Sequence, residues 1–70
     1  MTKYNIQVIG IVQGPDRFEI MADNYQLTET GMIRFVKYKN PSDTSIFDTV
    51  AMYPICRTIV HSAIEIKQTN

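Results

Sequence analysis

Between Arg17 and Asp23, Phe18, Ile20 and Ala22 alternate with Arg17, Glu19, Met21 and Asp23, a two-residue period in which Met21 is the one apolar side chain of the second set. A period of two belongs to a half-buried β-strand and not to a helix. The parity then changes, because Tyr25 and Leu27 carry the next apolar positions. A bulge or break at Asp23-Asn24 is therefore predicted, at two residue types that tolerate the backbone it requires. Thr28-Glu29-Thr30-Gly31 follows as a turn, with Gly31 supplying positive φ, and Met32 to Tyr38 returns as a strand rich in β-branched and aromatic side chains. A hairpin within Phe18 to Lys39 thus organises the chain.

The flanking segments follow the same logic. Tyr4 to Gln13 reads as the first strand, with Ile6 and Val8 on one face, Ile9 and Ile11 on the other, and the change of face beside Gly10. Gln13-Gly14-Pro15-Asp16 ends it in a turn. Asn40 to Ser45 is the longest polar stretch and predicts an exposed loop with a mobile tip. Ile46 to Tyr53 is the fourth strand, closed by Pro54. Two patterns compete in the last segment. Ile55, Cys56, Ile59, Val60, Ala63 and Ile64 fit a helical stripe, whereas Thr58-Ile59-Val60 is β-branched throughout and Ile64 to Lys67 alternates. The β-branched content favours a turn over Pro54 to Arg57 and a strand to Lys67, with Gln68-Thr69-Asn70 as a frayed end. The expected fold is one all-β domain over residues 1–70, with room for one short helix near residues 55–64. Its form is a small antiparallel meander curled into an SH3-like or Sm-like barrel or a small sandwich.

Composition sharpens this picture in two respects. A chain of 70 residues with 44% hydrophobic side chains leaves much of its surface wet. Domains of this size commonly add a disulfide framework, a metal or a partner subunit. One cysteine forms no internal disulfide, and Cys56 with His61 falls short of a zinc ligand set. Self-association is what remains, most simply as a two-fold dimer, and the sheet edges are open to it unless Lys3, Lys37 or Lys67 guard them. The lone thiol and the polar Met1 to Asn5 fit a reducing cytoplasm, and no run is long enough to span a bilayer. Charge is balanced, seven basic against seven acidic residues, and scattered, which argues against a dedicated binder of phosphate backbones.

Candidate chemistry is sparse. His61 would need Cys56 or Ser62 against it and an orienting Glu65, and neither strand nor helix spacing brings all of these together. No glycine-rich phosphate loop occurs, and the dispersed carboxylates, Asp23, Asp43 and Asp48 among them, read as solvated faces. The expectation is no enzyme, no cofactor and no metal site. Cys56 is expected to be a small buried apolar residue. Phe35 and Phe47 are expected in the core. Tyr25, Arg34, Tyr38, Lys39 and Tyr53 are the candidate ligand- or partner-binding residues, since aromatics interleaved with cations suit stacking on bases as well as contact with proteins. Met21, Met32 and Met52 extend the second of these uses.

The run from Phe18-Glu19-Ile20 through Ala22-Asp23-Asn24-Tyr25-Gln26-Leu27, then Thr30 to Phe35 and Val50-Ala51-Met52-Tyr53, resembles short β-rich proteins encoded by phages and other mobile elements. The resemblance covers about half the chain and carries no site residue. It implies an accessory or inhibitory role in a host cytoplasm, by binding a host protein or capturing a small ligand. The leading expectation is a non-catalytic binding module that self-associates. A nucleotide- or single-strand-binding barrel using Tyr25, Arg34, Tyr38 and Lys39 is the alternative, and a purely self-assembling structural protein the third.

Overall fold

The computed structural model describes residues 1–10 and 16–66. Its elements are β1 (Thr2–Val8), β2 (Arg17–Ala22), β3 (Asn24–Leu27), β4 (Met32–Asn40), β5 (Asp43–Pro54), a 3₁₀ turn (Ile55–Arg57) and β6 (Thr58–Glu65). They form two three-stranded antiparallel sheets, ordered β2-β1-β6 and β3-β4-β5. β2 and β3 are two halves of one strand that bends at Asp23 and passes from the first sheet into the second. A bent strand shared by two sheets, followed by two hairpin partners, a 3₁₀ turn and a last strand returning to the first, is the course of an SH3-like meander.

Asp23 explains the bend. Its own N–H donates to Val36 O at 2.8 Å, and its carboxylate accepts the Tyr38 N–H at 2.8 Å. The side chain therefore supplies the acceptor where the backbone of β2 has turned away from β4. The turn after β3 is closed by Thr28, whose N–H reaches Met32 O at 2.8 Å and whose hydroxyl accepts the Met32 N–H at 3.1 Å. Gly31 has φ +81° there, a conformation costly for any residue with a Cβ.

The core lies between the sheets. Tyr4, Ile6 and Val8 of β1, Ile20 and Ala22 of β2, and Ile33 and Phe35 of β4 are all buried, with Phe18, Ala51 and Tyr53 packed against them. Rings knit it together: Tyr4 lies 5.1 Å from Phe35, and Phe18 meets Tyr53 at 5.6 Å. Full burial of side chains the size of Phe35 or Ile6 contributes roughly 1.5–3 kcal/mol each.

Several sequence expectations change. β1 ends at Val8, and Ile9-Gly10 is a turn with Gly10 at φ +94°, so Ile9 never forms a second strand face. Ile11 to Gln13, the Gly14-Pro15 turn and Lys67 to Asn70 lie outside the described residues. Asn40 to Ser45 is not a loop: Asn40 and Asp43 are paired, and only Pro41-Ser42 turns. Asn40 Oδ1 accepts from Ser42 N (3.1 Å) and Oγ (2.8 Å), while Asp43 Oδ1 accepts from Ser45 N (3.1 Å) and Oγ (2.5 Å). These local bonds let turn-forming residues end one strand and begin the next. The last segment resolves as a 3₁₀ turn and a strand, and the single helical feature among the described residues is that three-residue turn. Lys3 and Lys37 guard no edge. They sit on β1 and β4, the central strands of the two sheets, and Lys3 pairs with Glu19 at 3.6 Å.

Candidate functional site

Strand β4 is buried on both faces at one point, since the consecutive residues Phe35 and Val36 are each 0% exposed. Phe35 faces the core. Val36 lies on the outer face of the second sheet, in register with Asn24 and Thr49 and flanked along its strand by Arg34 and Tyr38. A layer of side chains covers it. The Arg34 guanidinium carbon lies 5.5 Å from the centroid of the Phe47 ring, a cation–π contact that bridges from β4 to β5. Asn24 Nδ2 donates to Tyr38 Oη at 3.2 Å from the opposite side. Met52, in register with Arg34, is 46% exposed and extends this layer toward the 3₁₀ turn.

The outer face thus brings together two of the five candidate residues, Arg34 and Tyr38. Tyr25 and Tyr53 belong to the opposite face: Tyr25 meets the Tyr4 ring edge-on at 6.0 Å, and Tyr53 packs on the core beside Phe18. Lys39 is at the far end of the β4–β5 hairpin, 3.6 Å from Asp48, with both side chains exposed. Phe47 is a correction, being half-buried on the outer face instead of in the core. The register of β5 with β4 decides this, since pairing with Tyr38 puts the two aromatics on one face. Sequence reasoning marks Met52 for contact without its neighbours, and Asn24 only for the bend.

Titratable groups are mostly at the surface. Burial pushes the Tyr4 hydroxyl above its ordinary value, while hydrogen bonds from Ser45 hold the Asp43 carboxyl below its own. His61 Nε2 is 2.9 Å from Gln7 Oε1, an amide and not an orienting carboxylate. Cys56 is exposed, contrary to expectation, because the 3₁₀ turn that carries it buries none of its residues. Among the described residues no group of three His, Cys, Asp or Glu side chains converges, and no ligand-sized cavity opens. No helix among the described residues is long and apolar enough to cross a membrane.

A second surface feature concerns apolar side chains left in water. Ile46, Val50, Met52, Ile55, Ile59, Val60, Ile64 and Ile66 are each between 38% and 55% exposed, and all lie on β5, the 3₁₀ turn, β6 or just beyond it. That third of the chain therefore holds a concentration of exposed apolar surface of the sort that marks an interaction site. No known protein family, curated protein or solved structure matches the chain.

Proposed function

We propose that this chain is a non-catalytic binding module, an accessory or inhibitory protein of the phage type that acts in a host cytoplasm by covering a surface of a host protein. The observation that carries this reading is the outer face of the second sheet, where Arg34, Tyr38, Phe47 and Met52 form one layer. Arginine, aromatics and methionine are the residues enriched at the centres of protein interfaces. Ile46, Val50 and Ile55 are also exposed on β5 and the turn that follows it. The base-stacking alternative needs Tyr25, Arg34, Tyr38 and Lys39 on one surface, and the fold distributes them over different ones.

The test is capture from a bacterial cytoplasmic extract by the parent, by Met52→Glu and by Arg34→Ala, each variant first checked for an unchanged melting curve. One protein retained in stoichiometric amount by the parent is expected, with retention falling by an order of magnitude or more in both variants, as for loss of a hot spot of about 2 kcal/mol. Equal retention by all three chains removes this face from the argument. If the parent instead binds oligonucleotides with an affinity that falls steeply with salt, the nucleic-acid reading replaces this one.

A further inference from the structure

We propose that two copies of this chain pair through the free edges of β6, antiparallel about a two-fold axis that passes between His61 and Ser62, joining their first sheets into one six-stranded sheet. This concerns a different surface from the outer face of the second sheet and does not depend on that reading.

β6 is held on one side only. It pairs with β1, and among the described residues no strand lies against its other edge. None of its eight residues is buried, and both of its faces are apolar. Ile64, in register with Lys3, and Ile59, in register with Gln7, share the outer face of the sheet. Val60, in register with Ile6, and Ala63, in register with Tyr4, share the inner face. Ile59, Val60 and Ile64 are 41%, 41% and 55% exposed. Within the strand the one acidic side chain is Glu65 at its end and there is no lysine or arginine, so the edge lacks the lysine that commonly blocks such pairing.

The bulge decides the register. β6 shifts against β1 between Asn5 and Ile6, which skips His61 and reverses the parity of the strand at that residue. Ile59 and Ile64 would lie on opposite faces of a regular strand. With the bulge they lie on the same face, and so do Val60 and Ala63 on the other. A two-fold axis between His61 and Ser62 then sets Ile59 against the partner copy's Ile64, Val60 against its Ala63 and Thr58 against its Glu65. Opposed residues of an antiparallel pair must share a face, and this register meets that condition for all three pairs at once. It also places apolar side chains together on both sides of the sheet.

The chain as a whole exposes 5132 Å², about 600 Å² more than a compact monomer of its mass, surface that association can cover. The radius of gyration agrees, at 12.8 Å against about 11 Å for a compact domain of this length.

Sedimentation equilibrium over micromolar concentrations tests the proposal, using the parent, Ile59→Lys, Ile64→Glu, the double variant Ile59→Lys/Ile64→Glu, and Met21→Lys. Met21 is on the same outer face in register with Lys3, but on β2, two strands from the edge. The parent and Met21→Lys are expected to pass from monomer to dimer with similar dissociation constants. Each single β6 variant weakens dimerisation at least tenfold. The double variant recovers it, because the lysine introduced at position 59 of one copy then faces the glutamate introduced at position 64 of the other, and an equimolar mixture of the two single variants recovers it in part. Circular dichroism confirms that every variant is folded. A parent that stays monomeric throughout overturns the proposal. So does a dimer that the folded single variants leave intact, or one that the charge pair fails to restore.

Discussion

Truncating Phe35 to alanine tests how the core is held. Phe35 is fully buried, sits at the centre of the ring cluster with Tyr4 at 5.1 Å and Tyr25 at 6.5 Å, and is in register with both Tyr25 and Ala51. Lost transfer energy plus the cavity left between two thin sheets should cost about 3–5 kcal/mol. A domain of this length has about 4–10 kcal/mol in all, so the variant is at best marginally folded. Phe47→Ala is the matched control. It removes the same atoms from the half-buried outer face together with the Arg34 contact, for about 1–2 kcal/mol. Thermal unfolding followed by far-UV circular dichroism, at one fixed protein concentration because any pairing equilibrium shifts the midpoint, reads the difference. Phe35→Ala should lower the melting temperature by more than about 10 °C or abolish the transition. Equal shifts for the two variants would show that burial between the sheets is not what distinguishes these rings.

Two further substitutions probe the bend and the hairpin tip. Asp23→Ala leaves the Tyr38 N–H without its side-chain acceptor and should cost about 1–3 kcal/mol. Exchange of the Tyr38 amide should accelerate, whereas Asp23→Asn, which keeps an acceptor oxygen, should lose less; unchanged exchange in Asp23→Ala would refute the role given to this carboxylate. At the tip, Ser45 hydrogen bonds hold the Asp43 carboxyl below its ordinary value. A depressed folded value means that the contribution is present above the ordinary carboxylate range and is lost as pH falls through the folded value. Ser45→Ala should therefore move the Asp43 titration, followed by NMR, up toward the ordinary range, and a titration that stays in place would contradict the assignment.

What the sequence made legible follows from where one face of a strand is wet and the other dry. Arg17 to Ala22 alternates because β2 has the core on one side and water on the other, and Ile20 and Ala22 are buried as the period requires. The parity change at Asp23 and the positive φ of Gly31 were readable for the same local reasons. The distal half of the β4–β5 hairpin was not. Lys39, Asn40, Thr44 and Ser45 are all exposed there and bear no burial pattern, and polar turn-formers in a strand look like a loop. Of the candidate site, Arg34 and Tyr38 could be paired by parity alone. Separating Tyr25 and Tyr53 from them required the register across three strands.

The helical stripe in the last segment has a physical origin in the strand that replaced it. Ile59, Val60, Ala63 and Ile64 are spaced like one side of a helix, yet in β6 they form two pairs on opposite faces. A regular strand with one wet face would have placed polar residues at two of these positions. Here the bulge at His61 reverses the parity midway, and both faces remain apolar on either side of it. Strand alternation is erased by the same feature that makes the edge symmetric about His61 and Ser62. A β-strand that imitates a helix in this manner has apolar side chains on more faces than its own fold covers. In β6 these side chains line the edge along which a second copy, in the register derived from the bulge, would set its own beside them.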